Sequence, residues 1–172
     1  MITALETERC RIRRFCRADV GEAALYLGDP AVMHFVEPPF DRDRTKQFIV
    51  AAGLCSPPLI YAVQDRVTSA LLGHVIFHPW DDAGTWELGW ILRRDAWGRG
   101  LATELTRGLI CHGFEVLQLD RIIGECHPDN NASIRVLEKS GLRRAPELDQ
   151  GLPVWMLSVD SPRSRAPRHP NH

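Results

Sequence analysis

The sequence predicts an α+β fold in which helices flank a mixed, mainly antiparallel sheet. Two observations carry this. Three strand-like runs, at 59–64, 71–77 and 85–92, follow one another across short turns, as an antiparallel meander requires. Beyond them the hydrophobic period changes. Helical spacing over about 100–117 and 131–140 alternates with short strand-like runs.

Taken in order, CRIRRF at 10–15 alternates apolar and basic residues as a half-buried strand does. Asp19 can cap a helix running to about Leu27, and Asp29 to Met33 reads as another helical turn. PPFD at 38–41 breaks the chain. Asp41 then precedes a helix over 42–52 with Phe48 and Ile49 inward, and SPP at 56–58 is a second break. The three meander strands turn near Thr68 and at DDAG, 81–84. Leu101, Leu105, Leu109 and Val116 line one face of the next helix. Arg121 to Cys126 is a short strand. Ile134 and Leu137 share a face of the following helix, which Gly141 stops. Leu142–Arg144 and Val154–Val159 close the sheet. The Pro- and Arg-rich stretch 161–172 has no apolar face and is expected to be a disordered tail after a single domain over 1–160.

Composition bounds the function. The chain has 172 residues, 44% hydrophobic and 25% charged, with a formal charge of −1. Whole-molecule attraction to nucleic acid or an anionic membrane is therefore not expected. No apolar run is long enough to span a bilayer. The five cysteines form no CxxC pair, which suits a reducing cytosol better than a disulfide scaffold or a zinc site. Cys111 and Cys126 read as ordinary buried cysteines and His112 as a packed core histidine.

The stretch AWGRGLATEL, 96–105, sets two glycines between a strand and a helix. Glycine marks sharp bends or close backbone approach. The unpaired N–H groups of a helix start, with the helix dipole, favour an anion. Neither GxxxxGK[ST] nor GxGxxG is present, so the turn alone is a weak signal. Together with NNASIRVLEKSGL, 130–142, it is a specific one.

The pair WGRGLATE and NNASIRVLEKSGL resembles the acetyl-CoA-binding core of the GCN5-related N-acetyltransferases (GNAT). TERCRIRRF, DPAVMHFV and the PPF break resemble their RimJ/RimL-like branch, so the likeness covers residues 6–159. It implies a GNAT-like fold and a cytoplasmic enzyme that moves an acetyl group from acetyl-CoA to an amine acceptor, with no metal. A homodimer stays open. The alternative is a non-catalytic acyl-CoA-binding module.

By the resemblance, the turn Trp97-Gly98-Arg99-Gly100-Leu101-Ala102, with Thr103, cradles the pyrophosphate. The pantetheine arm pairs with the main chain of Ile91, Leu92 and Arg93, and Asn130 bonds the arm. Arg99, and with it Arg93 or Arg94, can pair with phosphate oxygens, though Arg93 and Arg94 are equally well read as solvated charge, and Asn130 also suits a helix cap. A backbone N–H near Trp90 or Ile91 can polarise the thioester carbonyl. Ser133 can protonate the leaving thiolate. Leu137 stands where many relatives carry a catalytic tyrosine, and the only tyrosines, Tyr26 and Tyr61, lie elsewhere. Glu87 is the leading base, with Glu125, His127 and water as alternatives. The acceptor is expected among the N-terminal helices and the loops near Phe35–Phe40 and Trp80.

Overall fold

A computed structural model describes residues 2–81, 84–149 and 152–158. Its strands are β1 (Ala4–Glu6), β2 (Cys10–Arg13), β3 (Ile60–Asp65), β4 (Leu71–Pro79), β5 (Thr85–Leu92), β6 (Arg121–Glu125), β7 (Arg143–Asp149) and β8 (Leu152–Ser158). The helices are α1 (Val20–Leu27), α2 (Pro30–Met33), α3 (Arg42–Phe48), α4 (Leu101–Cys111) and α5 (Asn131–Lys139). The strands form one sheet in the order β1-β2-β3-β4-β5-β6-β8-β7. Every pairing is antiparallel except β5 with β6. The expected α+β layout is thus present.

Two apolar layers sandwich the sheet. On one face Leu101, Leu105 and Leu109 of α4 and Leu137 of α5 pack on Phe77 and Leu88. On the other, Ala23, Tyr26 and Leu27 of α1 join Phe15, Ile49 and Ile60. Helix starts follow their caps. Asp29 accepts from the Ala31 N–H, with Pro30 at the first helical position, and Asp41 accepts from the Arg44 N–H at 2.7 Å.

Several expectations change. Asp19 does not cap α1; it is buried, takes both guanidinium nitrogens of Arg13 at 2.8 Å and accepts from the Cys16 N–H. A π-helical segment at His112–Val116 follows α4. Its wider turn breaks the 3.6-residue register, so Val116 is 65% exposed instead of inward. Cys111 is exposed, its thiol donating to Glu115, while Cys126 is half-buried. His112 is half-buried beside Phe77, as expected. β1 was not foreseen, and β7 runs well beyond Arg144. Residues 82–83 of the DDAG turn, Val159 and the stretch 161–172 lie outside the described residues.

The α1–α3 layer shuts a histidine away from water. His74 of β4 is 1% exposed, its Nδ1 2.8 Å from the Tyr26 hydroxyl, and it is packed with Phe15 and Phe48. Burial disfavours the charged ring and pushes its pKa down to about 3. An unfolded chain takes this proton near pH 6.5, so His74 favours folding above that pH, and the contribution is lost as pH falls from about 6.5 towards 3. Urea unfolding between pH 7.5 and 5 should show His74→Gln, which cannot titrate, losing less stability on acidification than the parent does.

Candidate active site

The parallel ladder between β5 and β6 is short. It joins Thr85 with Arg121, Trp86 with Ile122 and Glu87 with Ile123, whereas β4 stays paired with β5 to Leu92. Past Glu87 the two strands part. The Arg93 N–H donates to the Leu72 carbonyl and the Trp80 N–H to that of Thr85, so odd-numbered residues of β5 turn their main-chain groups to β4. Leu88, Trp90 and Leu92 turn theirs towards the gap. Of the three expected main-chain positions, Leu92 turns towards the gap, while the Ile91 main chain and the Arg93 N–H turn to β4 and the Arg93 carbonyl accepts from the Ala96 N–H. The Leu92 carbonyl accepts the Trp97 indole N–H at 2.8 Å.

Beyond β5 the chain turns through Arg94–Ala96 to the glycine pair. Gly98 has φ +71° and Gly100 φ +76°, backbone that L side chains resist. A Cβ at Gly98 would meet nothing within 4 Å, and one at Gly100 only Arg9 Nη2 at 3.7 Å. The turn is therefore open, and Gly100 is the N-cap of α4 with no side chain over it. Leu101 is buried in the core, so only its main chain can reach a ligand at this turn; Ala102 and Thr103 are half-buried in the first helical turn. Arg99 and Trp97 are exposed. An open helix start with small residues fits an anion.

Arg93 and Arg94 are both in ion pairs, Arg93 with Asp95 at 2.6 Å and Arg94 with Asp29. They line a cleft of about 400 Å³ with Glu22 and Tyr26, between α1 and the end of β5. A second cleft, of about 440 Å³, lies beside α2 and is lined by Met33, Phe35, Val36, Pro38, Pro39 and His127, among others. The Phe35 ring stacks on His127 at 5.2 Å, tying the loop after α2 to the end of β6. The expected acceptor segment around Phe35 thus borders a cleft, and Trp80 is not part of its lining.

Glu87 stands where the strands begin to part, on the sheet face covered by α1–α3, its side chain 17% exposed. Glu125 lies two residues past its register partner Ile123 and so shares that face. Opposite Glu87 on β4 is His78, a residue the sequence reading passed over. Its Nε2 is 3.2 Å from Glu87 Oε2, and its Nδ1 is 2.9 Å from the Pro79 carbonyl. Two acceptors face the two ring nitrogens, an arrangement that only the imidazolium satisfies. The Glu87 bond accordingly raises the His78 pKa against the opposing effect of burial.

On the other side of the gap, Asn130 caps α5: its Oδ1 accepts from the Ser133 N–H at 3.1 Å. The cap occupies the oxygen, and the amide nitrogen remains to donate. Ser133 sits half-buried in the first turn of α5. Leu137 fills the core against Gly124, where an added Cβ would come within 2.8 Å of its Cδ2. Leu137 itself carries no group that could donate a proton. Glu87 and Ser133 therefore come from opposite faces of the sheet. Among the described residues no cluster suits a metal ion.

The sequence also gave no warning of Arg9 and Glu104. Arg9, in the β1–β2 turn, bonds Glu104 of α4 through Nε at 2.7 Å and the Arg99 carbonyl through Nη1 at 2.8 Å. The single available signal was two opposite charges in otherwise polar segments, and their spacing of 95 residues says nothing about contact.

Similarities to known proteins agree with this geometry. Residues 9–143 match the family model described as an acetyltransferase (GNAT) domain. The chain is 31% identical over 144 residues to the uncharacterized N-acetyltransferase YnaD of Bacillus subtilis (strain 168), covering 81% of this chain and 82% of that one. Its structure is similar to that of a GNAT-family acetyltransferase from Bacillus anthracis, with a TM-score of 0.80, 27% identity and coverage of 89% and 95%. A spermidine N-acetyltransferase from Vibrio cholerae, solved with CoA and spermine, shares the fold at a TM-score of 0.71 and 17% identity, with coverage of 86% and 93%.

An NMR titration of His78 checks the ion pair at the strand branch. The ring should titrate above the ordinary value of about 6.5. Glu87→Gln should return it towards that value, and an unmoved titration would mean that the carboxylate does not hold the proton on the ring.

Proposed function

This chain belongs to the acetyltransferase (GNAT) family, and from that premise we propose an acetyl-CoA-dependent N-acetyltransferase acting on a primary amine. The observation that carries the reading is the open glycine turn at the start of α4 set beside the gap between β5 and β6. The turn motif, the TERCRIRRF segment and the DPAVMHFV segment favour the RimJ/RimL-like branch. A cytoplasmic location fits five free cysteines.

Acetyl-CoA supplies the activated acetyl group. The N–H groups from Gly98 to Ala102 hold its phosphates, and the main chains of Trp90 and Leu92 receive its arm along the open edge of β5. The Trp90 N–H is the carbonyl-polarising donor. Asn130 adds its amide nitrogen while its oxygen keeps the cap. The acceptor enters from the cleft at Phe35 and His127. Glu87, steadied by His78, takes the proton that an ammonium must lose before it can attack, and Ser133 or solvent protonates the departing sulfur. Alignment of amine and thioester in a closed gap supplies most of the rate.

Melting the protein with and without coenzyme A tests binding, since a ligand of the folded state raises the melting temperature. Thiol release across a panel of amines tests turnover. Stabilisation without thiol release from any amine would favour the non-catalytic acyl-CoA-binding module, for which the leucine at position 137 is the supporting feature. Gly100→Asp places a carboxylate at the anion site and should abolish the stabilisation while leaving the fold intact.

Glu87→Gln should lower kcat most at low pH, where little free amine exists, and recover as pH rises. General acid–base groups contribute roughly 100- to 10,000-fold, so even a partial role is measurable. A parental pH–rate profile would transfer the proton to Glu125, His127 or water. Ser133→Ala should lower kcat with acetyl-CoA affinity kept, and full activity would leave the acid role to solvent.

A further inference from the structure

We infer that Arg9 is a positioning residue of the glycine turn: by holding the Arg99 carbonyl it keeps the Gly100 N–H turned outward, towards the phosphates of acetyl-CoA. This rests on the acetyl-CoA reading given above. In a trans peptide the carbonyl and the N–H point in opposite directions. The orientation of the 99–100 peptide therefore decides whether the turn presents a donor or a repelling carbonyl oxygen to an anion.

Nothing inside the turn settles that orientation. Gly100 has φ +76°, and glycine accepts the opposite sign of φ about as readily. Neither glycine is packed: Cβ atoms added at Gly98 and Gly100 would meet nothing within 4 Å and a single Arg9 nitrogen at 3.7 Å, respectively. The peptide can rotate as a unit by compensating changes on either side of it. An outside anchor is needed, and Arg9 Nη1 provides it at 2.8 Å from the Arg99 oxygen.

Arg9 is itself fixed from several directions. Its Nε meets Glu104 Oε2 at 2.7 Å, and its own N–H meets Oε1 at 2.8 Å. The Thr7 hydroxyl also donates to Oε1, at 2.6 Å, and Arg66 donates to the carbonyls of Thr7 and Glu8. Glu104 lies in the first turn of α4, where a carboxylate is favoured by the helix dipole. The planar fork of arginine can bond a carboxylate on one edge and a carbonyl on another. A lysine ammonium of equal charge has no such geometry. The N-terminal hairpin is thus part of the phosphate site without lying beside it in sequence.

The test uses the full chain and the variants Arg9→Met, Arg9→Lys and Glu104→Gln. Without ligand, the amide signal of Gly100 should be single and sharp in the parent and doubled or exchange-broadened in Arg9→Met. Calorimetry with coenzyme A should show Kd raised roughly tenfold, as expected for loss of one charge-assisted hydrogen bond. KM for acetyl-CoA should rise with it while kcat and the amine KM stay the same. Arg9→Lys should behave like Arg9→Met, because the charge without the fork does not hold the carbonyl. A lysine variant with parental affinity would replace the brace by plain charge attraction. Unchanged Kd and an unchanged Gly100 signal in Arg9→Met would overturn the inference. If Arg9→Met fails to fold, Glu104→Gln, which weakens the grip on Arg9, carries the same expectations in smaller measure. Failure of the parent to bind coenzyme A would defeat the acetyl-CoA reading, while the Gly100 signal would still judge the brace.

Discussion

The parting of β5 from β6 is the constraint on which the rest of this molecule depends. The two strands share only the pairs from Thr85 to Glu87, within a sheet whose other pairings are antiparallel. A parallel pair needs a long crossover, and α4 with its π-helical extension provides it. Once the strands diverge, the β6 side of Trp90 and the Leu92 N–H face a gap in the middle of the sheet, the Leu92 carbonyl being held by the Trp97 indole. An unpaired edge is a ready template for an extended ligand. The same divergence leaves room for α5 to bring Asn130 and Ser133 to the far side. Gly124 lets this happen, because any side chain there would collide with Leu137 and approach the Leu88 carbonyl.

Both ends of the gap are braced by contacts distant in sequence. At the glycine turn, the β1–β2 hairpin reaches α4 through Arg9 and Glu104. Near the opening, Arg94 holds Asp29 at the start of α2, and Phe35 stacks on His127. These contacts are partly exposed, and exposed ion pairs contribute little to stability. Their consequence is geometric. They set where the glycine turn and the proline-bounded loop stand relative to the sheet.

At the branch point Glu87 does not stand alone but is bonded to His78 across the ladder. The bond from His78 restricts the rotation of the Glu87 carboxylate, so the pair orients the proton acceptor. The two-acceptor environment of His78 comes from strand register: Glu87 lies directly across from it, and the Pro79 carbonyl is its own chain neighbour.

The sequence by itself determined the order and type of nearly all elements, because hydrophobic period, caps and turn residues act over a few positions. It also determined the glycine turn and its pairing with the Asn130 segment, since positive φ and helix capping are local demands that particular residue types meet. It misread Val116, because one π-turn shifts the face of every later residue. It missed β1, three residues whose strand character exists only when β2 lies alongside, and it placed Ile91 and Arg93 on an edge that the ladder gives to Trp90 and Leu92. The tertiary structure alone decided that His78 holds Glu87, that Asp19 binds Arg13 and the Cys16 N–H instead of capping α1, and that Arg9 grips the Arg99 carbonyl. The first and the last depend on strand register or on two distant segments meeting, and the Asp19 contacts on how the chain turns after β2. Charge and hydrogen-bonding capacity are written in the sequence, but the partner is chosen by the fold.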